Sequence, residues 1–233
     1  MNSNLQLRFS LVVIMITIVS SGLAQKRSAP VRESIEWLDV WMPNTNDTGL
    51  PRVLLIGNSI TRGYYPEVQK QLAGKAFVAR LATSKSIGDP GLLQEISLAM
   101  SYHKFNIIHF NNGLHGWGYS EVEFGKAFPA FIKTIRKKSG GAKLIWATIT
   151  PVRNKADVNL FSEKTDRIKA RNKIALDYLS KQKNIQINDL WELTAKNAAF
   201  YTGGDGTHPN PSGYLAIAEK VAAIVSAAID QRK

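Results

Sequence analysis

Two short segments, far apart in the chain, carry residue types that together can move an acyl group. In the first, Val53-Leu54-Leu55-Ile56 runs straight into Gly57-Asn58-Ser59-Ile60-Thr61. An apolar run of strand length, ending in glycine and followed by helical spacing, puts Ser59 at the carboxyl edge of a strand and the amino end of a helix. Unpaired backbone N–H groups and the helix dipole favour negative charge there. That setting suits a nucleophile, and it equally suits a plain N-cap, a role serine fills well. In the second segment, Gly203-Gly204-Asp205-Gly206-Thr207-His208-Pro209-Asn210 precedes the last amphipathic stretch. Asp205 and His208 are three apart in a flexible loop, so the carboxylate can fold back on the imidazole. A neutral histidine can then take a proton from a serine hydroxyl while the carboxylate fixes its tautomer. The alternative is a turn in which Asp205 caps the backbone and His208 is a surface residue. Of the four histidines, His103, His109, His115 and His208, His208 alone has a carboxylate at close loop spacing. No phosphate-binding Gly-x-x-x-x-Gly-Lys loop is present, and the Gly-x-Ser-x-Gly elbow fails because Thr61 stands at its second glycine.

The elements that must hold these segments alternate. Apolar runs of strand length fall at Val53–Ile56, Phe77–Leu81, Ile107–Phe110, Leu144–Ile149 and Ile185–Ile187. Helical spacing covers Tyr64–Leu72, Leu92–Met100, Val122–Ile135, Ile168–Leu179 and Tyr214–Ile229. Strands separated by helices predict a five-stranded parallel sheet with helices on both faces, an α/β fold with function at the carboxyl ends of its strands. The 233 residues, 44% of them apolar and 21% charged, exclude a disordered, collagen-like or multi-span membrane chain. Zero cysteine excludes disulfides, iron–sulfur clusters and thiolate zinc, and leaves no thiol for nucleophilic catalysis.

Residues 1–24 read as an export signal. Arg8 supplies the basic end, Leu11–Val19 is an apolar run too short to span a bilayer, and small residues lead to Ala24. Cleavage there removes one charged residue, so the mature chain keeps most of the formal charge of +12. Export without cysteine fits a periplasmic or secreted bacterial protein. Residues 25–51 form a Pro- and Asn-rich lead-in, with Trp37, Val40 and Trp41 expected to cover core surface, and 52–233 form the main domain. The basic residues are dispersed, which speaks against nucleic-acid binding.

Together, Gly57-Asn58-Ser59-Ile60-Thr61 and Asp205-Gly206-Thr207-His208-Pro209-Asn210 resemble the SGNH superfamily of hydrolases, also called GDSL-type lipases and esterases. The resemblance spans residues 51 to about 229. It implies a three-layer, flavodoxin-like α/β/α sandwich, ester hydrolysis through a serine acyl-enzyme, and no metal or other cofactor. It makes Ser59 the nucleophile, His208 the general base and then acid, and Asp205 the carboxylate that orients it. It also implies an oxyanion hole made of the Ser59 N–H, the N–H of a glycine after the second strand, and an asparagine after the third. Gly88 is the expected glycine, with Gly91 as fallback. In the third block the register brings Gly113-Leu114-His115-Gly116 to the family's Gly-x-Asn-Asp, so His115 stands where asparagine is expected. An imidazole N–H can donate as an amide does, and the nearby amides Asn111 and Asn112 are the alternative donors, Asn112 counted with Ser59, Gly88 and His115 in the expected oxyanion hole. Asn58 replaces the family's aspartate before the serine.

Site loops rich in Lys, Ser, Asn, Gly and Trp suit a small acyl group, acetyl above all, on a polar alcohol. Trp117 and Tyr119 are candidates to stack on a sugar ring, or else they cap the core, and Arg153 is a candidate for binding an acidic sugar. The expected partner is a small-molecule or polysaccharide acyl ester. The competing readings are a carbohydrate-binding protein that keeps the fold without catalysis, and a lipase or acyltransferase.

Overall fold

The computed structural model describes residues 29–231. The expected export signal and the first residues of the lead-in lie outside them. Ten of the elements follow the predicted alternation. The strands are β2 (Arg52–Gly57), β3 (Phe77–Thr83), β4 (Ile107–Phe110), β5 (Lys143–Ala147) and β6 (Ile185–Asn188), and the helices are α1 (Ser59–Gln71), α2 (Pro90–Ala99), α3 (Glu121–Lys138), α4 (Lys164–Leu179) and α6 (Pro211–Asp230). The periodicity did not show β1 (Leu38–Trp41), the short α5 (Leu190–Ala195) or a 3-10 turn at Ala198–Tyr201.

The sheet order is β1-β3-β2-β4-β5-β6. Its five parallel strands follow the flavodoxin-like order, with the switch point between β2 and β4. The expected five strands are therefore joined by a sixth, because β1 pairs antiparallel on the outer edge of β3. Four residues whose side chains are only partly covered give too short a period to read as a strand, and pairing with β3 is what makes it one. Val40 and Trp37 are partly buried, as expected, whereas Trp41 is 56% exposed on that edge and covers no core.

The central strands are buried on both faces, as parallel sheets between helices require: every residue of β4 is covered, as are Val53 to Gly57 of β2. Trp146 lies edge-on to Phe110, Phe128 and Phe131. This aromatic cluster fixes α3 against β4 and β5, and truncating Phe128 to Ala costs about 3–5 kcal/mol on ordinary core precedent. The register sets Ile56 beside Phe110 and Gly57 beside Ala82, so the chain leaves β2, β3 and β4 at one level. Three loops emerge side by side there.

Candidate active site

The first loop is the turn from β2 into α1. A Cβ on Gly57 would sit 2.1 Å from the Thr61 hydroxyl oxygen, so only glycine lets the strand close directly on the helix. Asn58, not Ser59, is the N-cap. It is fully buried and its side-chain oxygen accepts from the Ile60 N–H at 3.0 Å. Ser59 is therefore the first residue of the helix, with its hydroxyl left free and its N–H in the unpaired first turn.

That hydroxyl meets the loop before α6. Ser59 Oγ lies 2.8 Å from His208 Nε2, and His208 Nδ1 lies 2.7 Å from Asp205 Oδ2. The other carboxylate oxygen, Oδ1, accepts from the backbone N–H groups of Thr207 and His208, each at 2.8 Å. Partial burial pushes the Asp205 carboxyl up, but the His208 and Thr207 donors outweigh it, and the group is held below its ordinary value. It thus stays ionised beside the imidazole. The sequence alternatives for both segments are resolved geometrically: Ser59 is not the cap, and Asp205 caps its own turn and holds the histidine at once.

The second loop follows β3. Its Gly88 packs under the Tyr119 ring, which a Cβ would approach to 3.0 Å. Nothing among the described residues accepts from the Gly88 N–H. Gly91, the fallback, lies inside the first turn of α2, where its N–H is taken by the Asp89 cap at 2.7 Å. Asn112 holds this loop from the side: its oxygen accepts from the Ile87 N–H at 3.2 Å and its amide nitrogen donates to the Lys85 carbonyl at 2.8 Å. Asn111 donates to the Ala147 carbonyl. Both amides are thus engaged with backbone, and Asn112, expected as an oxyanion donor, instead positions the segment that carries Gly88.

The third loop, 113–119, is the most heavily braced. Arg171 of α4 is buried, and its guanidinium donates to the carbonyls of Gly113, His115, Gly116 and Tyr119. Arg167, one turn earlier, donates to those of Trp117 and Tyr119. Glu121 balances both, at 2.7 Å from Arg167 and 3.3 Å from Arg171. Gly116 has φ +72°, and a Cβ on it would lie 2.4 Å from that of Ser86, so the loop packs tightly on its neighbour. His115 is mostly buried. Burial pushes its imidazole below the ordinary value, with Glu33 and Glu36 pulling the other way and the charge of His208 adding to the fall.

None of these braces was named from the sequence, although a signal exists. Arg171 and Asn172 occupy core-facing positions between Ile168 and Ala175 on α4, where charge and amide are out of place unless they serve backbone. Asn172 indeed brackets Ile149 through both its N–H and its carbonyl.

The two expected substrate contacts fare differently. The Trp117 ring lies 4.9 Å from the Arg171 guanidinium, 5.1 Å from Lys164 Nζ and 5.5 Å from Arg167, so it packs its loop on α4 and leaves only part of its surface to a ligand. Arg153 is a correction. It is buried, its guanidinium donates to the carbonyls of Val158, Asn159 and Ala195, and it lies 4.5 Å over Phe161. It ties the loop after β5 to the end of α5, and its one unpaired N–H, at Nε, is buried away from any substrate, because the exit of a strand in sequence is not always its mouth in space.

Known proteins share this fold. The GDSL-like Lipase/Acylhydrolase family matches over residues 107–221, a span that holds Asp205, His208 and the 113–119 loop and begins after Ser59. Solved structures with the same fold include a carbohydrate esterase family 3 protein from Talaromyces cellulolyticus, 17% identical over 78% of this chain and 99% of that one, with a TM-score of 0.62. An acetyl esterase mutant with acetate ion is 16% identical over 78% of this chain and 100% of that one, at 0.60. The C-terminal catalytic domain of peptidoglycan O-acetyltransferase A from Streptococcus pneumoniae, carrying a methylsulfonyl adduct, is 17% identical over 78% and 96%, at 0.55. Comparison with curated proteins by sequence gives no match. The chain carries a GDSL-like lipase/acylhydrolase domain within the fold of the SGNH/GDSL hydrolases. It is an ester hydrolase.

Proposed function

We propose that this protein is an exported esterase that removes short acyl groups, acetyl above all, from a carbohydrate. The observation that carries the reading is the unbroken chain of hydrogen bonds from Asp205 through His208 to Ser59. In the proposed reaction His208 Nε2 takes the Ser59 proton as Oγ attacks the ester carbonyl. Asp205 stabilises the imidazolium. The carbonyl oxygen, now negative, is met by the N–H groups of Ser59 and Gly88 and by the His115 ring, each donor being worth about 100- to 1,000-fold in rate. His208 then returns its proton to the leaving alcohol, and water, activated by the same histidine, releases the acyl group from Ser59.

The side chains of His208 and Asp205 are 44% and 51% exposed. An open site of this kind suits an acyl group standing on a large polar alcohol better than a long chain that must be buried. Trp117, Tyr119 and Trp37 around the 113–119 loop supply aromatic surface for a sugar ring. The names of the structural relatives, a carbohydrate esterase and an acetyl esterase among them, point the same way, and the N-terminal 1–24 segment supports export.

Acetate release from a panel of acetylated glycans, measured with the purified protein before and after treatment with a serine-directed organophosphate, tests the proposal. The expected result is release that stops as one equivalent of label attaches at Ser59. Labelling elsewhere, or glycan panels left intact while long-chain esters are cleaved, would sink it. Adding a free sugar acceptor separates hydrolysis from transfer.

A further inference from the structure

The segment ahead of β1 has no part in the relay, yet it is fastened to both oxyanion loops. The Val31 N–H donates to the Tyr119 hydroxyl, Arg32 pairs with Asp89 at 3.0 Å, the Trp37 N–H donates to Ser84 Oγ, and Glu36 pairs with Lys85 at 2.6 Å. In the middle of this strap Glu33 does two things with one atom. Its Oε1 accepts from the Gly116 N–H at 3.1 Å and stands 3.4 Å from His115 Nδ1. The Trp37 ring meets the His115 ring edge-on with centroids 6.2 Å apart, and Arg62 of α1 lies 4.8 Å over Trp37. His115 is therefore held by a carboxylate on one nitrogen and an aromatic wall on its side.

A carboxylate at Nδ1 keeps a proton there. The neutral ring then presents a lone pair at Nε2, which would repel a developing oxyanion. Only the doubly protonated ring donates from that atom. Asparagine, the residue expected at this position from the family resemblance, donates without titrating, so the exchange to histidine needs a partner that stabilises the cation. Resting on the reading of His115 as the third oxyanion donor, we propose that Glu33 is its positioning residue: it fixes the ring through Nδ1 and balances the imidazolium that donates from Nε2 as charge develops on the substrate. Burial, the largest influence, disfavours the second proton of His115, and the charge of His208 from the loop before α6 adds to it. Glu33 and Glu36 from the strap favour it without reversing the fall, so the resting ring lies below its ordinary value and Glu33 is what keeps the cation within reach.

The test is a kinetic cycle of Glu33→Gln and His115→Asn on a short aryl acetate, with kcat followed against pH. Glutamine still accepts from the Gly116 N–H but cannot balance a cation. The expected result is a fall in kcat of about tenfold for Glu33→Gln, the usual size of coupling between touching residues, with KM little changed. The same substitution should do nothing further in the His115→Asn background. Wild-type kcat should also carry a limb, placed below pH 6.5 because His115 is lowered in the fold, along which it declines as rising pH removes the second proton, and His115→Asn should lack it. An equal loss from Glu33→Gln in both backgrounds, or no loss at all, would overturn the role of Glu33. If His115→Ala leaves kcat intact while Ser59→Ala abolishes it, the reading of His115 as an oxyanion donor fails by itself.

Discussion

The two halves of the proposed active site are built in opposite ways. The proton relay is local: Asp205 and His208 share one turn, the carboxylate caps that turn with Oδ1 while Oδ2 holds the imidazole, and one contact across the sheet mouth joins them to Ser59. The oxyanion side is assembled from afar. Its 113–119 loop is braced by Arg167 and Arg171 from α4, its Gly88 segment is held by Asn112, and a strap from ahead of β1 ties the two together through Glu33, Glu36 and Arg32. The Asp205–His208 pair, three residues apart, survives small disturbances of the fold because forming its geometry costs little loop-closure entropy, and only its single contact to Ser59, 149 residues away, depends on the sheet. A half made of long-range contacts is only as well formed as the packing that brings its parts together. Chemistry should therefore be lost from the relay by deleting atoms, and from the oxyanion side by loosening the scaffold.

The sharpest break is on the relay side. Ser59→Ala should lower kcat by about 10⁴-fold or more while leaving the thermal unfolding midpoint almost unchanged. A variant that kept activity on a short aryl acetate would remove the relay from the mechanism.

Arg171→Ala should show the reverse balance. Removing this buried guanidinium leaves the Gly113 and His115 carbonyls without a donor, while the Gly116 and Tyr119 carbonyls and Glu121 keep other partners, at a cost of about 2–5 kcal/mol, read as a drop in the denaturant midpoint together with loss of kcat. Arg167→Ala, at a more exposed position, should cost about 1 kcal/mol. Equal effects from the two would break the picture of a loop hung mainly on Arg171.

Acid should separate the halves next. His109, on β4, is fully buried edge-on to Tyr64 of α1, and its Nε2 lies 3.0 Å from the Asn188 amide nitrogen. Burial pushes its imidazole down from 6.5 to about 3. A folded value below the unfolded one favours the neutral ring, so its contribution to stability is complete above 6.5 and is lost as pH falls from there toward 3. Asp205 is also lowered in the fold, but its contribution is complete above 3.8 and drains only below that. Thermal midpoints taken from pH 7 down to 4 should thus fall for the wild type and fall less for His109→Leu. Parallel slopes for the two proteins would exclude His109 as the source.

The smallest effect belongs to Trp117→Ala, expected to raise KM for an acetylated glycan by about tenfold, in keeping with the loss of one aromatic contact, with little change on a small aryl ester. Equal losses on both substrates would assign the ring wholly to packing on α4.

The sequence by itself determined the alternation of strands and helices and the five parallel strands, and it named the serine, histidine and aspartate of the proposed relay. Each of these is written in residues close together: an apolar run ending in Gly57, a cap beside Ser59, a loop spacing of three. It could name the position of His115 but not its state, and it misassigned Arg153 and Asn112, whose donors are spent on backbone carbonyls that only folding brings near. Edge strand β1, the strap and the two arginines of α4 were decided by the tertiary structure. Their hydrogen bonds join residues some 40 to 90 positions apart, and a local pattern has no means of recording a partner that the chain meets only after the sheet has formed.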